Sequence, residues 1–164
     1  MNIRKFSELK KKPNIKLIKE NDQFETQEVS NATEPVVEQS DCAKLFSKMF
    51  ESREMAHIYH LQVKGDQGSY AKHMALGSFY EGVLDLIDDL VETYQGQYGI
   101  VDGYDVIDTT ETRTKEPVAY FEELAEFIKH GRKCISPEDT HLHNIIDEVV
   151  AITYKTLYKL KFNS

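Results

Sequence analysis

Apolar residues recur at helical spacing along two stretches in the first half of the chain. Ser40 and Asp41 form a plausible N-cap, and the pattern that follows predicts helix A, which ends near Leu61. Its apolar positions are Ala43, Leu45, Phe46, Met49, Phe50, Met55 and Ile58. After a Gly-containing turn, Ser69 is the candidate N-cap of helix B, which runs to about Tyr94. Its stripe is Leu76, Tyr80, Val83, Leu84, Ile87, Leu90, Val91 and Tyr94.

The second half of the chain carries two more helical patterns. Pro117 suits the first position of helix C, and Gly131 suits its end. Ser136 and Pro137 begin helix D, whose apolar residues continue through Leu160. Four amphipathic helices in one chain predict an all-α, up-down four-helix bundle.

The segment 96–116, between helices B and C, has a different pattern. Its β-branched residues flank Asp102 and Gly103, and an Asp-Gly pair is typical of a type I′ turn. We therefore expect a small β-hairpin or an ordered loop inserted between the two helices.

Charge divides the chain near residue 40. Residues 1–40 lack sustained periodicity and carry seven Lys or Arg against seven Asp or Glu, which predicts a flexible charged arm. The whole net charge of −8 therefore falls on residues 41–164, the predicted bundle. An acidic surface repels phosphate, so only the arm, through Lys10, Lys11 and Lys12, is a candidate for contacting DNA. A protein partner for the arm is the alternative.

Cysteine usage and hydropathy bear on where the protein works. Cys42 and Cys134 are far apart and fit no pairing pattern, so we expect reduced, partly buried thiols in a cytoplasmic protein. No apolar window approaches the roughly 18 residues that cross a bilayer, and the N-terminus lacks a signal-peptide pattern. We expect no membrane association.

Candidate metal ligands share one face of helix B. His73, Glu81, Asp88 and Glu92 fall within an arc of about 100° at 100° per residue. His73 and Asp88, however, are about 22 Å apart along the helix axis at 1.5 Å per residue. Residues at the two ends of this face cannot bind one ion within one subunit.

The junction between helices A and B resembles that of the Dps proteins, the ferritin-like mini-ferritins that protect DNA in starved cells. That family has a His-Trp-Asn-Val-Lys-Gly run, aromatic residues and a second His, and this chain has the run 60–65 (HLQVKG), then Tyr70 and His73. The family's Asp and Glu follow the second His by fifteen and nineteen residues, as Asp88 and Glu92 do here. The resemblance covers residues 42–95 and, more loosely, 137–160, and it extends to phage-encoded relatives of unknown function.

The resemblance implies a ferritin-like bundle that forms a homo-oligomer through a two-fold interface of helices A and B. Such an interface places the histidines of one subunit against the carboxylates of the other. It implies Fe(II) binding and oxidation that protects against oxidative damage, with Mn or Zn as alternative metals. A phage-encoded protein of this kind would work in the host cytoplasm or the virion. The implied ligands are His60, His73, Asp88 and Glu92, with Glu81, His57 and Glu54 as further candidates.

Two departures from the family bear on its function and assembly, and the first of them favours a second hypothesis. Gly77 stands where the family usually has an Asp, and the segment 96–116 replaces a short helix. A helical glycine costs about 1 kcal/mol relative to alanine, which suggests that another backbone lies close to Gly77. The alternative function is an enzymatically inactive ferritin-like bundle that serves as a structural or adaptor protein, cellular or viral.

Three other groupings of ligand-type residues are weaker candidates. Glu54 and His57 have the Glu-x-x-His spacing of di-iron bundles, although the nearest match on helix D reverses the order. An acidic loop and a histidine cluster near the C–D turn could also hold cations, but neither has a recognised ligand spacing. The helix D match is His143 and Asp147, the acidic loop contains Asp102, Asp105 and Asp108, and the histidine cluster is His130, His141 and His143.

Overall fold

Four α-helices make up the protein in the computed structural model, which describes residues 39–64 and 69–163. They are α1 (Gln39–Gln62), α2 (Ser69–Tyr98), α3 (Pro117–Gly131) and α4 (Thr140–Phe162). Single 3-10 turns occur at Thr110–Arg113 and Arg132–Cys134, and the described residues contain no strand. The prediction of an all-α, four-helix protein is confirmed. The predicted arm lies outside the described residues, except for its last two, which begin α1.

Each helix packs against two others. α1 contacts α2 and α3, and α4 contacts the same two helices, so α1 and α4 lie diagonally opposite. Tyr59, near the end of α1, donates a 2.8 Å hydrogen bond to the carbonyl of Lys115, just before α3. Lys161, at the end of α4, pairs at 2.5 Å with Glu122 in the first turns of α3. α1 and α4 therefore run in one direction and α2 and α3 in the other.

The connection between α2 and α3 spans residues 99–116 and runs the length of the bundle; we call it the crossover. Long crossover connections occur in several classes of four-helix bundle. Gly99, with φ of +91°, ends α2 because this left-handed conformation suits glycine, and its N–H bonds to the Gln95 carbonyl at 2.9 Å. The crossover thus begins at the end of α2 and returns the chain to the opposite end of the bundle.

Of the two expectations for this segment, the β-hairpin is wrong and the ordered loop is what the structure shows. Gly103 has the positive φ, +80°, that a hairpin turn needs, but no strands pair beside it among the described residues. Helix side chains bind the backbone of the crossover instead. The Val101 N–H donates to Gln95 Oε1 at 3.1 Å, and the Asp105 N–H donates to Ser47 Oγ at 2.8 Å.

The core lies between the four helices and is rich in aromatic residues. Phe46 packs edge-on against Tyr94, and Phe79 packs edge-on against Phe121 with ring centroids 4.7 Å apart. Edge-to-face contacts of this kind add to the free energy gained by burial alone. The largest fully buried apolar side chains are Phe46, Phe79, Phe121, Leu45, Met49, Met55, Leu76, Ile87, Leu90, Leu124 and Ile128.

The prediction of reduced cysteines is also wrong. Cys42, at the start of α1, and Cys134, after α3, form a disulfide with their Cα atoms 5.4 Å apart, a separation within the normal range for this bond. The bond joins residues 92 positions apart, and therefore encloses three of the four helices.

A polar cluster ties the end of α2 to the start of α4. The Tyr98 hydroxyl group and Gln97 Nε2 both donate hydrogen bonds to the buried Asp139 carboxylate, the latter at 2.8 Å. The bond from Tyr98 lowers the pKa of Asp139, and the same bond, with burial, raises the pKa of Tyr98 to about 12.

Within residues 39–64 and 69–163, no helix has the length and apolarity to cross a bilayer.

Candidate functional site

The two histidines predicted at the helix junction lie against each other. His60 is near the end of α1 and His73 is in the second turn of α2. Their imidazole rings stack with centroids 3.6 Å apart and an interplanar angle of 27°. The structure therefore brings together two of the four main predicted ligands within one chain.

A reciprocal pair of hydrogen bonds holds the two rings. His60 Nδ1 lies 2.8 Å from the carbonyl oxygen of His73, and His73 Nδ1 lies 3.3 Å from the carbonyl oxygen of His60. A carbonyl oxygen only accepts, so each neutral ring carries its proton on Nδ1 and its lone pair on Nε2. An imidazole fixed through one nitrogen to a carbonyl, with the other nitrogen basic, is the usual state of a metal-binding histidine. No described residue hydrogen-bonds to either Nε2.

Gly77 makes room for this pair. A Cβ atom at this position would lie 3.3 Å from both Cε1 and Nδ1 of His60. The neighbour is therefore a side chain, and our expectation of a close backbone at this glycine is wrong. A larger residue here would crowd the His60 ring, so the histidine stack gives a structural reason for glycine at this position.

The remaining candidates near the pair have different surroundings. His57 lies one helical turn before His60, with ring centroids 6.5 Å apart, and packs at 4.5 Å against Tyr80 of α2. Glu54 is paired with the neighbouring Arg53. Glu81 is exposed and accepts a long hydrogen bond of 3.4 Å from the Tyr80 hydroxyl group. The aromatic Tyr80, which contacts both His57 and His60, was assigned to the core stripe from its spacing.

The two distal carboxylates are exposed on α2. Asp88 and Glu92 make no hydrogen bond or ion pair with any described residue. At 100° per residue they share the outward face of α2 with three exposed apolar side chains, Tyr70, Met74 and Leu84. We call this surface the α2 face. It was predicted to carry the ligands, but Leu84 was expected to be in the core.

No group of three or more His, Cys, Asp or Glu that could hold a metal forms within the part of the chain that the structure describes. The intrasubunit di-iron centre is therefore not formed. The two candidate ligands on α4, His143 and Asp147, both bind Arg132 instead. Arg132 donates a hydrogen bond to His143 Nδ1 at 3.2 Å and forms an ion pair with Asp147 at 2.6 Å. These two side chains bind a cation of the protein itself.

The other two groupings are dispersed into local hydrogen bonds. His130 contacts the carbonyl of Glu126 in its own helix, and His141 Nε2 lies 3.1 Å from the side-chain oxygen of Gln97. In the acidic loop, Asp108 accepts the Thr110 N–H at 2.9 Å, which lowers the pKa of Asp108. Neither group holds a cation site among the described residues. Lys10, Lys11 and Lys12 lie outside the described residues.

Comparison with known protein families identifies a matching family. The model of the family described as "Family of unknown function (DUF5856)" matches residues 60–160. That region begins at the first histidine of the stacked pair and ends in the last turn of α4. No curated protein and no solved structure matches the chain.

Proposed function

The chain belongs to DUF5856, a family of unknown function, and we propose that it binds Fe(II) as a Dps-like, ferritin-family protein. In this proposal the site lies between two copies of the chain and the bound iron is oxidised there, which protects against oxidative damage. The proposal is argued from the chemistry of the candidate ligands. A relationship to the ferritins is part of the proposal.

The observation that carries the proposal is the stacked pair of His60 and His73. Both rings are fixed through Nδ1 to backbone carbonyls, so both Nε2 atoms keep a lone pair for a metal. Imidazole nitrogens suit iron, manganese and zinc. The two rings are held before any metal arrives, which lowers the entropic cost of binding one.

The remaining ligands come from a second copy in this proposal. Asp88 and Glu92 lie about 22 Å or more from His73 along α2 at 1.5 Å per residue. If two α2 faces pack antiparallel about a two-fold axis, the histidine end of one meets the carboxylate end of the other, which makes two identical sites. Tyr70, Met74 and Leu84, which are exposed on this face, would then be buried between the copies.

The proposed reaction moves electrons from iron to an oxidant. Two Fe(II) ions would lose one electron each, and one hydrogen peroxide molecule would take up these two electrons and two protons to become two water molecules. The carboxylates stabilise the ferric product, because hard oxygen ligands favour the higher charge. The net charge of −8 attracts the ferrous substrate at long range.

Anaerobic Fe(II) titration followed by peroxide, with ferric absorbance as the readout, tests this function. We expect stoichiometric oxidation by the wild type and its loss in His73→Ala and Asp88→Asn. The matched control is Asp89→Asn, because Asp89 is also exposed but lies about 100° around α2 from Asp88. No oxidation by the wild type above a protein-free control would refute the proposal.

The second candidate function is an inactive ferritin-like bundle with a structural or adaptor role. The contact between Gly77 and His60 supports it, since a third ligand from this position would need the stack to move. A disulfide is rare in a reducing cytoplasm, so the Cys42–Cys134 bond disfavours a cytoplasmic location. A cytoplasmic location, in a host cell or otherwise, therefore stays a proposal.

A further inference from the structure

One end of the bundle gathers lysines in a protein whose net charge is −8. This end consists of the last turns of α1 and α4, the first turns of α2 and α3, and the residues next to them; we call it the basic end. Its described residues are 59–64, 69–76, 115–119 and 155–163. They contain one acidic residue, Glu116, and six lysines, Lys64, Lys72, Lys115, Lys155, Lys159 and Lys161. The basic end therefore carries a local charge opposite to that of the whole chain.

Two of these lysines are neutralised within the chain, and four are not. Lys115 and Lys161 pair with glutamates of the crossover and of α3. The side chains of the other four make no ion pair with a described residue. Two of the four, Lys64 and Lys72, line the same cavity of about 280 Å³, in which Glu116 is the acidic lining residue. Cations from two helices therefore face a shared space, and their combined field favours an anion there.

Large apolar side chains protrude from the basic end. Leu61 of α1 is 69% exposed, and Phe162 of α4 is 71% exposed. Tyr158, one turn before Phe162, is more than half exposed, and the centroids of these two rings lie 5.5 Å apart. None of the three side chains lines the cavity. Because α1 and α4 are diagonally opposite in the bundle, the apolar side chains project from separate points and do not form one groove.

We propose that the basic end binds the surface of a membrane that contains anionic lipids. Lys64 and Lys72 hold a lipid phosphate group at the cavity, and the other unpaired lysines contact neighbouring head groups. Leu61 and Phe162 enter the boundary between head groups and acyl chains. The acidic remainder of the chain is repelled by the negative surface, which turns the basic end toward it. The expectation of no membrane association rested on the lack of a spanning segment, which a surface contact does not need.

The exposed leucine distinguishes a membrane from other anionic partners. A nucleic acid offers phosphates for the lysines and bases for the aromatic rings, but it offers Leu61 no apolar surroundings. An acidic peptide needs one continuous groove for its apolar face, and the apolar side chains here stand on diagonally opposite helices. The same end of a second copy would bring lysines against lysines. A lipid surface accommodates each apolar side chain separately.

Sedimentation of the full chain with lipid vesicles tests this inference, which does not depend on the iron proposal. We expect binding to vesicles of phosphatidylcholine and phosphatidylglycerol in equal parts, and at least about tenfold weaker binding to phosphatidylcholine alone. Salt at about 1 M should weaken the binding, because it shortens the screening length to about 3 Å. No sedimentation with the mixed vesicles would overturn the inference.

Variants locate the contact at the basic end. Lys64→Gln should bind the mixed vesicles about fivefold more weakly, and Leu61→Ser/Phe162→Ser about tenfold or more. These side chains are exposed, so the circular dichroism of both variants should match the wild type. The matched control is Lys133→Gln/Val106→Ser, which changes an exposed lysine and an exposed apolar residue away from the basic end and should leave the affinity unchanged.

Two results with these variants would also overturn the inference. The first is equal affinity of Leu61→Ser/Phe162→Ser and the wild type for the mixed vesicles. The second is tighter binding to a single-stranded DNA oligonucleotide than to the vesicles, weakened by Lys64→Gln and unaffected by the loss of Leu61. The basic end would then be a contact for nucleic-acid phosphates.

Discussion

Reducing the Cys42–Cys134 disulfide should lower the stability of the bundle more than any single surface substitution. The bond closes a loop of 92 residues that contains α1, α2, the crossover and α3. In the chain-entropy account, a crosslink of this span lowers the entropy of the unfolded chain by about 15 cal/mol/K. At room temperature this stabilises the folded state by between about 4 and 5 kcal/mol. Measured effects are commonly smaller, so we expect a loss of about 3 to 5 kcal/mol.

Urea unfolding, followed by far-ultraviolet circular dichroism, measures this loss. The oxidised protein, the protein reduced with a thiol reagent, and the Cys42→Ala/Cys134→Ala variant should be compared at one pH. The reduced wild type is the cleaner reference, because both sulfur atoms remain and Cys42, which is fully buried, leaves no cavity. The double variant should be slightly less stable than the reduced protein because it lacks those sulfur atoms.

Two results would contradict this reasoning. Two titratable thiols in the native, air-oxidised protein would show that the cysteines are not bonded. A stability difference below about 1 kcal/mol between the oxidised and reduced forms would show that closing this loop restricts the unfolded chain far less than its length implies.

Two further predictions concern α2 and its end. Gly96→Ala should raise the free energy of unfolding by about 0.5 to 1 kcal/mol through helix propensity, because the added Cβ atom meets nothing within 4 Å. Gly77→Ala should gain less or lose stability, because there the added Cβ atom crowds His60. Equal gains in stability in thermal unfolding would refute the steric argument. Tyr98→Phe should cost about 1 kcal/mol, since the bond to Asp139 is charge-assisted but Tyr98 is half exposed. The pKa of Tyr98 is raised to about 12, so the difference in free energy of unfolding between the wild type and Tyr98→Phe should be full below pH 10 and vanish as pH rises through 12. Because the pKa of Asp139 is lowered, the same difference should also shrink in strong acid. A difference that does not depend on pH would be inconsistent with the bond.

Helix positions could be predicted from sequence because burial and end signals agree. α3 begins and ends at the predicted Pro117 and Gly131. α2 runs one turn past the predicted end, since Gly99 in the left-handed conformation ends it and Gly96 lies within the helix. α4 begins at Thr140, a few residues after Pro137. Apolar periodicity is a local signal, and these helices follow it closely.

Features that depend on the tertiary structure could not be predicted. The Asp102-Gly103 signal predicts a hairpin only if the flanking residues pair with each other, and here Gln95 and Ser47 bind their backbone. The disulfide is set by two helix ends that meet after folding. The stacked histidines were identified by motif, but the contact with Gly77 needed coordinates.

Metal binding by mixed oligomers is the most direct test of a site shared between two copies. One chain carries His60→Ala and His73→Ala, and the other carries Asp88→Asn and Glu92→Gln. Neither should bind Co(II), a spectroscopic substitute for Fe(II), when expressed alone. Co-expressed in equal amounts, they should recover about one quarter of the wild-type capacity, because a random pair joins intact histidines to intact carboxylates at that frequency. No recovery, or full binding by the carboxylate variant alone, would contradict the account.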